Sequence, residues 1–244
     1  MPDLPVLIAG DVHGDLERLF AGLKPYPPDR WRTVFLGDLV DGGAFGVGAL
    51  RYARDRPNSE VILGNHEVMM LWALRDRARL PYWLGIGGQL HDLQELARDE
   101  PLEHWLRHRP ALLKLEDGTL VQHADTDHYA RLADLDDAHA DIVKTVNQEA
   151  QRLLNNERED VLWDVTSPGG VFRAGRSRLD AWLRETSSKR LVHGHVPHNQ
   201  SKPLVYQEGR ALNFDGGLSR FYGSRYRRRA PPSASVGPLP PLVD

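Results

Sequence analysis

The chain contains the segments GDVHG at residues 10–14, GDLVDG at residues 37–42 and GNHE at residues 64–67. The second residue of each segment stands 27 positions before that of the next. A strand, a helix and a returning parallel strand take about 30 residues, so this period brings the chain back to one edge of a parallel sheet. The repeat therefore predicts an α/β architecture in which three polar segments lie side by side.

Short apolar runs before the polar segments predict buried strands at Val6–Ala9, Thr33–Leu36 and Val61–Leu63. Helical patterns follow the segments at Leu16–Leu23, Gly46–Arg54 and Val68–Arg77. Loops that follow parallel strands lie at the carboxyl edge of the sheet, where open α/β folds bind their ligands. We therefore expect the polar segments to form a ligand site.

The second half of the chain contains two further strand patterns that end in histidine, TLVQH at residues 119–123 and RLVHGH at residues 190–195. The turn segments DG at residues 117–118 and EGR at residues 208–210 each separate two apolar runs, which predicts two β-hairpins. Hairpins after a helix-rich first half predict a mixed sheet, or two stacked sheets, with helices outside.

We predict one domain over residues 1–224, with a helical insertion at about residues 75–110 that walls one side of the cleft. A long helix is expected from Asp134 to Asn156. Residues 225–244 are rich in arginine and proline, a composition typical of a solvated tail. Four aromatic side chains in or beside the insertion either stack on a nucleobase or pack in the core. They are Trp72, Tyr82, Trp83 and Trp105.

The composition excludes several kinds of chemistry. Of the 244 residues, 41% are hydrophobic and 27% are charged, and none is cysteine. Disulfides, thiolate metal ligands and cysteine nucleophiles are therefore absent. The net charge of −3 gives no electrostatic reason to expect a nucleic acid partner. The apolar run that ends at Gly10 is too short for a signal peptide or a membrane span, so we expect a cytoplasmic protein without a membrane partner.

The ends of the five strand patterns carry a candidate metal site. Its six predicted ligands are Asp11, His13, Asp38, Asn65, His123 and His195. Carboxylate, amide and imidazole ligands suit Mn, Fe, Zn, Co or Ni, and we expect manganese foremost. The six ligands divide into two positions that share one bridging carboxylate, which predicts two divalent ions. Two ions about 3.5–4 Å apart can clamp an in-line displacement at phosphorus.

The order and approximate spacing of these five segments resemble those of the calcineurin-like metallophosphoesterases. GNHE, together with GHVP at residues 194–197, is most similar to the bacterial phosphoprotein-phosphatase branch. The likeness spans residues 5 to about 220, and it implies an α/β (α+β) four-layer sandwich of two mixed β-sheets flanked by helices. It also implies that Asp11 and His13 hold one ion, that Asp38 bridges, and that Asn65, His123 and His195 hold the other.

The resemblance further implies that His66 is the general acid that protonates the leaving oxygen, with Asp41 orienting its imidazole. A histidine titrates near neutral pH and a carboxylate can fix its tautomer, so this pairing is chemically sound. Because His66 directly follows Asn65, a role as a further metal ligand is the alternative. We expect Glu67 to cap the next helix or to support the loop. His193 directly precedes Gly194, and we expect it to lie behind the metal ligands or in the core rather than to bind a metal.

Two positions depart from the family pattern. Protein phosphatases carry a phosphate-gripping arginine after the residue that corresponds to Asp41, whereas this chain has Gly42. We predict that Arg173 binds the substrate instead, together with Asn65; a solvated loop position is an equally good account of Arg173. Asp125 stands where the family usually has glycine, and it could repel an anionic substrate, bind a neighbouring group or turn the chain.

Three functions are consistent with these residues. The leading hypothesis is metal-dependent hydrolysis of phosphomonoesters, of the serine/threonine phosphatase type, with phosphorylated proteins as substrates. The alternative is hydrolysis of dinucleoside polyphosphates of the symmetrical diadenosine tetraphosphate type, or of a nucleotide phosphodiester, and Gly42 favours it. A non-catalytic scaffold is the remote third hypothesis, against which stands the retention of all six ligands with His66 and Asp41.

Overall fold

The computed structural model describes residues 4–133, 141–221 and 231–242. Its strands are β1 (Val6–Ala9), β2 (Arg32–Phe35), β3 (Ser59–Val61), β4 (Leu112–Lys114), β5 (Thr119–Gln122), β6 (Arg190–His193), β7 (Leu204–Tyr206), β8 (Ala211–Asn213) and β9 (Val236–Pro238). Its α-helices are α1 (Leu16–Leu23), α2 (Gly46–Asp55), α3 (Asn65–Arg75), α4 (Leu80–Gly85), α5 (Leu90–Leu96), α6 (Glu100–Arg107), α7 (Ile142–Asn155), α8 (Glu159–Thr166), α9 (Val171–Ala174) and α10 (Arg176–Glu185). Short 3₁₀ segments occupy Arg77–Arg79, His128–Leu132 and Pro232–Ala234.

The strands form two mixed sheets. The first has the order β3-β2-β1-β9, and β1, β2 and β3 run parallel, as the 27-residue period predicts. The second has the order β4-β5-β6-β8-β7, in which β5, β6 and β8 run parallel. The pairs β4-β5 and β7-β8 are antiparallel, so both predicted hairpins are confirmed. Two mixed sheets flanked by helices are the predicted fold class.

The two sheets pack face to face. One buried cluster combines apolar residues from both sheets, including Ile8, Val34, Val121, Val192 and Leu212. Because side chains alternate along a strand, their neighbours point to the outer faces. The outer-face residues Leu7, Phe35, Leu120 and Leu191 belong to a second cluster that also contains the apolar faces of the helices. The resulting order of layers is helix, sheet, sheet, helix.

Residues 75–110 contain helices α4 to α6, so this segment is helical as predicted. Of its aromatic side chains, Trp83 is fully buried, so of the two alternatives it packs in the core rather than against a nucleobase. Tyr82 is half exposed, and its ring meets that of Trp163 on α8 at a centroid distance of 6.0 Å. The description of residues 75–110 as an insertion remains a prediction.

The prediction of a solvated C-terminal tail is wrong for residues 234–237, which are buried, whereas Pro231, Ser233, Pro240 and Pro241 are exposed. Strand β9 pairs antiparallel with β1, and Val236 and Ser235 are buried. The backbone N–H of Gly10 donates to the carbonyl of Ser235 at 2.8 Å, which ties this strand to the loop after β1. A proline-rich composition does not prevent such pairing, because an edge strand needs donors on one side only. Residues 222–230 and 134–140, where parts of the predicted tail and long helix fall, lie outside the described residues.

Among the residues that the structure describes, no helix combines the length and apolarity needed to cross a bilayer.

Candidate metal centre

Asp38 lies at the middle of the predicted site. Its Oδ2 is 3.9 Å from Nε2 of His13, and its Oδ1 is 3.4 Å from Nε2 of His123. It belongs to two groups of potential ligands whose donor atoms all lie within 4.8 Å of one another. One group adds His13 and His66, and the other adds His123 and His195. The carboxylate of Asp38 is therefore placed to be shared by two ions.

Asp11 lies beside the first group, with its Oδ2 4.0 Å from Nε2 of His13. The Nδ1 of His13 lies 3.2 Å from the carbonyl of Val40, which fixes the ring so that Nε2 faces both carboxylates. The Asp11 carboxylate is held in place as well, because the backbone N–H of His195 donates to its two oxygens at 3.1 and 3.0 Å.

The second position consists of acceptor atoms that point at each other. Nε2 of His123 lies 2.8 Å from Oδ1 of Asn65 and 3.1 Å from Nδ1 of His195. The opposite ring nitrogens face the carbonyls of Leu36, at 2.8 Å, and Ser167, at 2.7 Å, so each ring donates there. One proton placed among the three acceptor atoms of Asn65, His123 and His195 could satisfy only one of their two contacts. A cation that binds all of them fits the donor set.

Electrostatics at the site also favour positive charge. Burial lowers the pKa of His13 to about 3 and that of His195 to about 4, which keeps both imidazoles in the neutral form that binds metals. Burial disfavours the charged form of His123, but the charge of Asp38, its hydrogen bond to the ring and the carbonyl of Leu36 together raise the pKa of His123. Burial and the charges of Asp215 and Asp38 raise the pKa of Asp11. Carboxylates packed this closely repel each other, and a divalent ion would relieve that repulsion.

Several residues at this edge have a left-handed backbone. The φ angles are +46° at His13, +50° at Asp38, +65° at Asp41 and +65° at His195. Such angles are uncommon for residues other than glycine, and they are concentrated at functional sites, where the surrounding structure maintains the strain. Here the hydrogen bonds of the loops hold each backbone so that its side chain faces the common centre.

Glu67 holds the loop that carries Asp38. Its fully buried carboxylate accepts the backbone N–H groups of Gly64, Asp38, Leu39 and Val40 at distances of 2.7–3.2 Å. The predicted structural role of Glu67 is thus confirmed. The same contacts start α3 at Asn65, three residues earlier than predicted, because the capping carboxylate stabilises the first turn.

Replacing Glu67 by glutamine should loosen this loop. The amide NH₂ would face backbone N–H donors, so we expect a loss of about 2–5 kcal/mol in the free energy of unfolding. Metal affinity should fall by about 10–100-fold, as is usual when a group that orients metal ligands is removed. Urea unfolding of the metal-free protein and calorimetric titration with Mn²⁺ measure the two effects. Glu185→Gln, on the exposed face of α10, is the matched control; equal behaviour of both variants would contradict the assignment.

His66 and Asp41 form the predicted pair. Nδ1 of His66 donates to Oδ2 of Asp41 at 2.7 Å. Burial disfavours the charged imidazole, but the charge of Asp38 and the hydrogen bond with Asp41 raise the pKa of His66 to about 9. The Nε2 of His66 lies 3.9 Å from Oδ2 of Asp38, so His66 faces the site from the first position. Both proposed roles, proton donor and further ligand, are compatible with this geometry.

Arg173 lies on α9 with an exposed side chain. Burial lowers the pKa of His198, and the charge of Arg173 contributes to that shift. Its role in binding the substrate stays a prediction.

Asp125 and His193 lie behind the ligands. Oδ1 of Asp125 accepts the backbone N–H of Gly170, and its Oδ2 is 3.4 Å from the hydroxyl of Tyr206. That hydroxyl also lies 2.7 Å from Nε2 of His193. His193 therefore lies behind the ligands, as expected. Asp125 thus anchors the turn before α9, and this turn adjoins the carbonyl of Ser167 that orients His195.

Two contributors were missed from the sequence. They are Ser167, whose carbonyl orients His195, and Trp83, whose indole N–H donates to Asp41. Asp215, in the loop after β8, carries a sequence signal because it follows a strand as Asp11 and Asp38 do, and its charge acts on Asp11.

Comparison with known proteins identifies the family. A family model described as calcineurin-like phosphoesterase matches residues 4–216. A symmetrical bis(5'-nucleosyl)-tetraphosphatase from Salmonella paratyphi C is 32% identical over 47% of this chain and 40% of its own length. A serine/threonine-protein phosphatase from Caenorhabditis elegans is 47% identical over 28% of this chain and 16% of its own length. The match therefore covers less than half the length of either curated relative.

Solved structures support the fold. A cold-active protein-tyrosine phosphatase from a psychrophilic Shewanella species superposes with a TM-score of 0.60 at 20% identity, covering 89% of this chain and 74% of that one. Identity this low supports a shared fold alone. With the family model spanning residues 4–216, the chain belongs to the calcineurin-like phosphoesterase family.

Proposed function

We propose that the protein is a dinuclear-metal-dependent hydrolase of phosphoric esters, acting on phosphomonoesters as serine/threonine phosphatases do. One observation carries this proposal: the carboxylate of Asp38 lies between two groups of potential ligands, and in one of them His123 faces acceptor atoms of Asn65 at 2.8 Å and of His195 at 3.1 Å. Such a donor set suits two divalent ions that share a bridging ligand.

The proposed ligands extend these two groups by Asp11 and Asn65, with His66 kept for proton transfer. Asp11, His13 and Asp38 would hold the first ion, and Asp38, Asn65, His123 and His195 would hold the second. When bound, the ions supply positive charge that neutralises phosphate oxygens and lowers the pKa of a water molecule. Manganese is our first choice because oxygen and imidazole ligands suit it, with Fe, Zn, Co and Ni as alternatives.

The protein's own residues complete the chemistry. The proton on Nε2 of His66 would pass to the leaving oxygen as the P–O bond breaks, and Asp41, which accepts from Nδ1, would stabilise the imidazolium that carries both protons before transfer. The rings of His13 and His195 are neutral because burial lowers their pKa, and His123 would be neutral once it binds an ion, which would leave His66 as the acidic imidazole of the site. Asn65 and Arg173 would contact the phosphate; the amide of Asn65 already lies among the ligands.

A second candidate substrate class is supported by Gly42 and by one relative. The position after Asp41 lacks the arginine of protein phosphatases, and the backbone N–H of Gly42 instead donates to the carbonyl of Gly87. The curated relative from Salmonella carries the name of a symmetrical dinucleoside tetraphosphatase. Hydrolysis of such a nucleotide, or of a nucleotide phosphodiester, is therefore the alternative. A cytoplasmic location stays a prediction.

The test is metal reconstitution. Chelator-treated protein should be inactive, and added Mn²⁺ should restore hydrolysis of p-nitrophenyl phosphate more than that of bis(p-nitrophenyl) phosphate. Diadenosine tetraphosphate and a phosphoserine peptide then separate the two substrate classes. Preference for the bis-ester or the dinucleotide would move the assignment to the alternative, and no turnover with any of the five metals would overturn the proposal.

A further inference from the structure

Trp83 on α4 is joined to the His66–Asp41 pair by hydrogen bonds. Its Nε1–H lies 3.0 Å from Oδ1 and 3.1 Å from Oδ2 of Asp41, while Nδ1 of His66 lies 2.7 Å from Oδ2. Trp83 and Asp41 have no exposed surface, and His66 is 5% exposed. A continuous set of buried hydrogen bonds therefore leads from the helical segment between β3 and β4 to the imidazole.

The indole of Trp83 is confined to one position. The backbone N–H of Gly88 donates to the carbonyl of Trp83 at 2.9 Å, and a Cβ on Gly88 would stand 2.2 Å from the indole ring. The carbonyl of the preceding residue, Gly87, accepts the backbone N–H of Gly42 at 2.8 Å. The turn after α4 thus binds both the indole and the residue that follows Asp41, so the indole and the carboxylate are held together.

Asp41 depends on these contacts for its orientation. Its backbone has φ +65°, and its carboxylate lies where water does not reach it. A carboxylate with one imidazole partner could still rotate about its last side-chain bond, whereas a donor that reaches both oxygens fixes the plane of the group. Buried polar atoms are nearly always hydrogen-bonded, so losing the indole donor would drive Asp41 towards a different arrangement.

We propose that Trp83 is a positioning residue for phosphoryl transfer, holding Asp41 so that the Nε2–H of His66 points at the leaving oxygen. This inference rests on the proposed hydrolase function. In that step a water oxygen forms a bond to phosphorus and the bond from phosphorus to the leaving oxygen breaks with its electron pair on that oxygen. The leaving oxygen takes the proton from Nε2 of His66. The attacking water keeps one hydrogen on the phosphate product and releases the other to solvent, from which His66 is reprotonated, so the overall reaction needs only water and the ester.

The leaving group provides the test. Phenyl phosphate releases a basic oxygen that needs a proton, whereas 2,4-dinitrophenyl phosphate releases a weakly basic one. With Trp83→Phe we expect kcat for phenyl phosphate to fall about 10-fold, as for other residues that orient a reacting group, and kcat for the dinitrophenyl ester to change less than about 2-fold. Metal content should equal that of the wild type. Trp105→Phe, a partly buried tryptophan of the same segment that stacks on Arg109, is the control and should change neither rate.

A double-mutant cycle separates positioning from general destabilisation. If Trp83 acts through His66, Trp83→Phe should cause no further loss in the His66→Asn background. Equal losses on both esters, or the same loss in both backgrounds, would overturn the inference. Gly88→Ala, which displaces the indole without removing it, is the second variant and should reproduce the selective loss on phenyl phosphate. A wild type inactive on both esters would instead refute the hydrolase proposal itself.

Discussion

Replacing Asp38 by asparagine is expected to lower phosphomonoester turnover by more than about 100-fold, since even groups that only orient a metal ligand contribute about 10–100-fold. The physical reason is the place of Asp38 between the two ligand groups, where its charge is the one that both ions would share. An amide keeps the shape but loses the charge that compensates two cations. Bound metal, measured by elemental analysis after desalting, should fall in the same variant.

Asp55→Asn is the control for this substitution. Asp55 is exposed at the end of α2 and pairs with its neighbour Arg54, so its loss should leave turnover and metal content unchanged. Wild-type metal content in Asp38→Asn, together with retained turnover, would contradict the bridging role.

Replacing His66 by asparagine is expected to reduce turnover of phenyl phosphate by about 10²–10⁴-fold, the usual contribution of a positioned acid. The loss should be much smaller for 2,4-dinitrophenyl phosphate, whose leaving oxygen needs no proton. Metal content should stay at the wild-type value, because the six other side chains provide the ligands. Steady-state kinetics with both esters and elemental analysis measure these outcomes.

The same variant distinguishes the two roles of His66. Because His66 also stands in the group with His13 and Asp38, a further ligand role would lower metal content and slow both esters alike. His104→Asn, an exposed histidine on α6, controls for the general effect of removing an imidazole and should change neither ester. Undiminished turnover of phenyl phosphate by His66→Asn would exclude the proton-donor role.

The parts of the site that lie within short sequence segments were predictable. The 27-residue period predicts three parallel strands, and strand-end polarity predicts that Asp11, Asp38 and Asn65 meet, because parallel strands deliver their loops to one edge. His123 and His195 required the second sheet to pack on the first. The residues of the two sheets do not by themselves reveal that packing, although the strand patterns and the family resemblance indicate it.

The contacts that orient the site were not predictable in the same way. Trp83 reaches Asp41 across 42 positions, and its amphipathic surroundings favour ordinary core packing. The carbonyl of Ser167 carries no side-chain signal at all. Strand β9 was missed because its proline and glycine content is typical of tails, and only pairing with β1 overrides that local preference. Each of these depends on tertiary contacts between segments distant in sequence.

Anomalous diffraction from crystals of the Mn²⁺-loaded protein tests the central claim most directly. Two manganese peaks about 3.5–4 Å apart, one on each side of the Asp38 carboxylate, are the predicted result. The first should lie beside Asp11 and His13, and the second beside Asn65, His123 and His195. A single peak, or peaks away from Asp38, would contradict a dinuclear centre built on this residue.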